Sequence, residues 1–130
     1  MAKTSEEAFD DRLTVALALL LAEADGATMQ EQDVILRRLG SRLTQMPDPV
    51  VSALVVRTHD DLRREGLEAS VRRLAKQIHT REARLAALAE CIAVVLVDRK
   101  VSDAEMGCIV TMADAMGLGE ADVAWALAQR

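Results

Sequence analysis

The sequence predicts an all-α protein, a single domain over residues 1–130 folded as a compact bundle of about seven helices with an internal pseudo-twofold repeat. Three observations lead there. The chain is 51% apolar but holds one Phe, one Trp and no Tyr, so its core is built from Ala, Val, Leu, Ile and Met. Small side chains of this kind let helices approach closely, and Ala, Leu, Met, Glu, Lys and Arg all favour the helix. Apolar residues recur at three- and four-residue spacing, and no segment makes a credible strand. Two similar helix–acidic loop–helix units also stand near the two ends of the chain. A length of 130 residues suits one domain able to bury a core.

Taken in order, Phe9, Leu13, Ala16, Leu17, Leu20 and Ala24 predict a first helix over roughly residues 8–24, stopped at Asp25-Gly26. Thr28-Met-Gln-Glu31 reads as a capping box, the hydroxyl accepting from one amide while the Glu reaches back to another. It opens a second helix with Val34, Ile35 and Leu39 on one face. In Pro47-Asp48-Pro49, Asp48 suits an N-cap and Pro49 a first helical residue. The third helix carries Val50, Val51, Leu54, Val55 and Leu62 to a stop at Gly66, and the fourth carries Leu67, Val71, Leu74, Ala75 and Ile78. Thr80 caps a fifth, whose Leu85, Leu88, Ala89, Ile92, Val95 and Leu96 leave almost no polar face, which predicts a central position. Ser102-Asp-Ala-Glu105 is a second capping box, followed by Ile109, Met112, Ala113 and Met116 and a stop at Gly117-Leu-Gly119. A last helix holds Val123, Ala124, Trp125 and Leu127.

The formal net charge of −5 argues against non-specific nucleic-acid binding, and the scarcity of aromatics removes the usual base-stacking platform. Residues 57–84 run the other way, with eight Arg or Lys against five Asp or Glu. That imbalance reads first as a solvated pair of helices laced with ion pairs, and second as a docking face for an acidic partner. The longest apolar runs, Val15–Ala22 and Cys91–Val97, fall well short of the roughly 18–20 residues a spanning helix needs, and the first residues do not resemble a leader. Cys91 and Cys108 lie on apolar helical stretches without a CxxC spacing, which predicts buried, reduced thiols in a cytoplasmic protein. His59 and His79 stand among charged residues with no nucleophile arrangement beside them, and no G-x-S-x-G, P-loop or H-E-x-x-H spacing occurs, so no enzymatic activity is expected.

Superimposing the two capping boxes aligns Leu20–Asp25 with Ala93–Asp98, Glu31 with Glu105, Val34 with Cys108, Ile35 with Ile109, and Leu39 with Ala113. Each unit is an apolar helix ending in Asp, a polar loop, and a capped helix opening with Glu. Neither loop is an EF-hand, which needs alternating oxygen ligands over twelve residues, a central Gly and a closing Glu. The segments Ala22-Glu-Ala-Asp-Gly26 and Val97-Asp-Arg-Lys-Val-Ser-Asp-Ala-Glu105 resemble those of the TerB-like family, the tellurite-resistance protein TerB and the corresponding domain of some J-domain co-chaperones. The resemblance spans about residues 9–128, although Arg99 stands where the family often has Gly and Gln32 where it has Glu. It implies a non-enzymatic, cytoplasmic stress-response module whose acidic loops bind a divalent metal of the calcium or magnesium class. Asp25, Glu31, Asp98 and Glu105 would supply four carboxylates if the loops converge. Capping and the helix dipole already account for Glu31 and Glu105. Asp25 and Asp98 stand at helix C-terminal ends, where the dipole disfavours negative charge, and are left without that explanation. An unidentified protein partner is expected, and a homodimer is compatible with the reading. The alternative is a metal-free interaction or assembly domain using the basic 57–84 face.

Overall fold

The computed structural model describes residues 5–24, 37, 39, 46–95 and 103–128. Among them are six helices and no strand: α1 (Ser5–Ala24), α2 (Asp48–Glu65), α3 (Leu67–Lys76), α4 (Arg81–Val95), α5 (Asp103–Ala115) and α6 (Glu120–Ala128). The predicted second helix, the loops that follow α1 and α4, and with them most of the second half of the first repeat unit lie outside the described residues. Of that stretch only Arg37, which is exposed, and Leu39, which is fully buried, are placed.

The core forms around α1. Every residue from Leu13 to Ala22 is buried, including Leu17, Leu20 and Leu21 at 0% exposure. Burying a leucine side chain is worth about 1.5–3 kcal/mol, so this one helix anchors a large share of the hydrophobic stabilisation. Buried on all sides over this stretch, α1 packs most extensively on α4 among the described helices, then on α3, α2 and α5. The apolar composition of α4 predicts a central position, and α4 packs on α1, α5 and α6, with full burial at Leu88, Cys91 and Ile92 and a half-buried side at Leu85, Ala86, Ala89 and Glu90. Helix α5 closes the core with Ile109, Met112 and Met116, and α6 leans chiefly on α4. On α6 the buried residue is Ala126, while Trp125 and Leu127 are exposed.

Local chemistry sets the helix ends. The N-cap of α2 is Pro47, one residue before the expected Asp48, because the extended Pro47 backbone offers its carbonyl to Val50 and Val51 at 2.9 and 3.3 Å. Asp48 then sits in the first turn, where the dipole favours it. Gly66 separates α2 from α3 at φ 86° and ψ 168°, a conformation open essentially to glycine alone. Thr80 caps α4 as expected, its Oγ1 accepting from the Ala83 amide at 3.1 Å. After α5 the Leu118 amide donates to Ala113 at 2.8 Å and the Gly117 amide to Asp114 at 3.1 Å, with Gly117 at φ 72°. This is a Schellman closure, and the buried Leu118 supplies its apolar contact. The Gly119 amide donates to Asp122 Oδ2 at 3.0 Å and so opens α6. None of the described helices is long and apolar enough to cross a membrane.

Candidate functional site

Of the four carboxylates in the candidate metal set, Asp25, Glu31 and Asp98 lie outside the described residues. Glu105 is placed in the first turn of α5, where it is buried at 8% exposure. Its helix packs against both α1 and α4, the two helices that lead into Asp25 and Asp98. Among the described residues no three His, Cys, Asp or Glu side chains gather into a metal-binding group.

Both cysteines are free and buried, as the sequence predicts. Cys108 lies one turn beyond Glu105, and burial first, then the Glu105 carboxylate, push its thiol above the ordinary range. At neutral pH it is therefore a protonated thiol and a poor soft ligand. The candidate donor set consists of carboxylate oxygens, which suits a hard cation. His59 and His79 are both exposed.

The basic 57–84 stretch is largely turned inward on its own acids. Asp61, on α2, has a side chain only 8% exposed and accepts from Arg73 Nη2 at 2.8 Å and Arg64 Nη2 at 2.5 Å. Arg73 also reaches Glu65 Oε1 at 2.7 Å, and hydrogen bonding to Glu65 is the main reason its guanidinium is held above its usual range. The buried Ser70 hydroxyl donates to the Asp61 carbonyl at 3.3 Å, tying the α2–α3 corner together. Arg72 pairs with Glu68 and Asp114, and Arg81 with Asp122. Arg84 is spent on carbonyls, donating to Ile78 at 2.6 Å and Met116 at 2.9 Å. This is the ion-pair-laced surface that the charge pattern suggests first, and it leaves Arg57, Arg63 and Lys76 without an ion pair among the described residues.

Sequence reasoning misses the concavity between α1, α2 and α3. A cavity of about 450 Å³ opens there, floored by Leu13 and Ala16 of α1, Leu54 of α2 and Leu74 of α3. Phe9, which shares the apolar spacing of the first helix, stands at its edge with 42% exposure. The α2 side of this space is unusual. The fully buried residues of α2 are the polar Thr58 and Asp61, while Val50, Val51, Leu54, Val55 and Leu62 are all only half-buried. Thr58 meets its polar need locally by donating to the Leu54 carbonyl at 2.7 Å. The available signal is weak: an 18-residue helix rich in Val, with a buried acid in its second half, carries more apolar surface than its neighbours cover.

The fold thus defines a class of protein: an all-α module wrapped around one apolar helix, with a buried acid at a helix start and basic helices neutralised in part by their own acids. The particular family follows from the sequence, since the family described as tellurite resistance protein TerB matches residues 11–128. The chain belongs to the TerB family, in agreement with the resemblance carried by its two acidic segments. No curated protein and no solved structure matches it.

Proposed function

We propose that this TerB-family chain is a non-enzymatic, cytoplasmic stress-response module linked to tellurite resistance. In this reading it binds a divalent cation of the calcium or magnesium class through Asp25, Glu31, Asp98 and Glu105 and presents the loaded state to a protein partner. One observation carries it: α1 and α4, which precede Asp25 and Asp98 in the sequence, are the most extensively packed pair among the described helices, and α5, bearing Glu105, packs on both. A cation site shared by the two repeat units would require their apolar helices to pack on one another, as α1 and α4 do. The cation would supply charge neutralisation between the loops. Loop carbonyls and water would complete the six to eight oxygens such an ion takes. The basic-face alternative has less support, because five of the eight cations between residues 57 and 84 are engaged within the chain.

Calorimetric titration with calcium, magnesium, manganese and zinc tests the reading. Saturable binding of a hard cation by the wild type, lost in Asp25→Asn/Asp98→Asn and weakened in Glu105→Gln, is the expected result. No binding up to about millimolar metal, a range that covers even weak extracellular calcium modules, would overturn it.

A further inference from the structure

The cavity is lined by the first half of α1 together with α2 and α3, includes none of the four candidate metal ligands, and combines two properties. Its floor is apolar, from Leu13, Ala16, Leu54 and Leu74, with half-exposed Phe9 and Val50 beside it. Its charged lining is unbalanced: Arg12, Arg57 and Arg73 face a single carboxylate, Asp61. Arg73 is already committed to Asp61 and Glu65, whereas Arg12 and Arg57 make no ion pair among the described residues. The net positive character of the wall therefore resides in Arg12 and Arg57, on a protein whose overall formal charge is −5. A volume of about 450 Å³ falls within the roughly 300–1,000 Å³ typical of small-molecule sites. It is lined as such sites are, mostly apolar with a few polar groups that fix orientation.

We propose that this cavity binds a small amphiphilic anion, an apolar chain or ring bearing one carboxylate or comparable acidic head. The apolar body covers Phe9, Val50 and Leu54, which the fold leaves only partly buried, and removes their surface from water. The head pairs with Arg12 and Arg57, whose planar guanidinium groups match a carboxylate in two-point geometry. Asp61 does not oppose the ligand, because Arg73 and Arg64 already neutralise it. The same wall disfavours cations, and its apolar floor gives small hydrophilic anions nothing to bury.

Titration of the full chain with decanoate, decanol and acetate, each below its aggregation concentration and with a chelator present, separates this site from any metal site. The readouts are calorimetry and amide chemical-shift mapping. Decanoate is expected to bind one-to-one and to shift Phe9, Leu54 and Leu74. Decanol is expected to bind about tenfold more weakly or worse, as the loss of a charged hydrogen bond implies, and acetate not detectably. Arg12→Gln/Arg57→Gln, both at exposed positions, should weaken decanoate about tenfold and leave decanol unchanged. Ala53→Phe, which adds bulk at the exposed lining, should weaken both. No saturable binding, shifts that map elsewhere, or equal decanoate affinity in the arginine double variant would each overturn the proposal.

Discussion

Arg84 on α4 and Met116 beyond the end of α5 are 32 positions apart in the chain, yet the guanidinium Nη1 donates to the Met116 carbonyl at 2.9 Å. The same side chain donates from Nε to the Ile78 carbonyl just past α3, at 2.6 Å. Carbonyls at helix C-termini lack intrahelical partners and carry the negative end of the dipole, so one half-buried cation satisfies two of them at once. Arg84→Ala is expected to lower unfolding stability by about 1–3 kcal/mol. Arg84→Lys should recover only part of that loss, since an ammonium on a flexible stem does not span both carbonyls. Urea unfolding of the three proteins checks the order.

The Asp61–Arg73 pair should be coupled. Removing Arg73 leaves a carboxylate of 8% exposure with only the outlying Arg64, whose side chain is 73% exposed. Arg73 is itself one-third exposed, so screening reduces the penalty, and Arg73→Ala should cost about 1–2 kcal/mol. In a double-mutant cycle with Asp61→Asn, the second substitution should cost less in the presence of the first. Additive losses would mean that the two side chains act independently.

Three glycines should respond differently to alanine. Gly66, at φ 86° and ψ 168°, occupies a region that L-residues avoid, and Gly66→Ala should destabilise by about 1–3 kcal/mol. Gly117, at φ 72° in the closure of α5, should lose about 1 kcal/mol. Gly107 lies inside α5 with open space where a Cβ would stand, so Gly107→Ala should stabilise by about 0.5–1 kcal/mol. Melting temperatures of the three variants give the signs directly.

The raised Cys108 thiol makes a pH prediction. Its folded value lies above the ordinary thiol value of about 8.5, so the folded chain holds this proton more tightly than the unfolded chain. The associated stability is fully present below that ordinary value and is lost as the pH rises through the folded value. Wild-type protein should therefore lose more stability between pH 8 and pH 10 than Cys108→Ala does. Denaturant midpoints at the two pH values test the difference.

Much of this architecture was legible because helix ends are decided within a few residues. Gly66, Thr80 and Gly117 act through their own backbone or hydroxyl, and the structure places all three where local chemistry puts them. Pro47 displaced Asp48 as the cap because a carbonyl in extended backbone served where a side chain was expected. The Asp61–Arg73 and Arg84–Met116 contacts were not legible, since each depends on which helix ends approach after folding. Phe9 shares the apolar spacing of α1 yet is 42% exposed, because spacing along one helix does not show which neighbours reach each end of its stripe. The candidate metal set was legible only as four residue types at matching positions, because spacing along a chain does not show whether two loops meet.

The enclosure of Leu13–Ala22 on every side has a consequence for how the chain is made. This helix leaves the ribosome before the helix that covers it most, α4, has been synthesised. At about 5–20 residues per second, the interval is on the order of ten seconds, during which a run of apolar side chains lacks its most extensive partner among the described helices. Nascent chains should therefore engage holdase chaperones through this segment, and release should coincide with the emergence of α4.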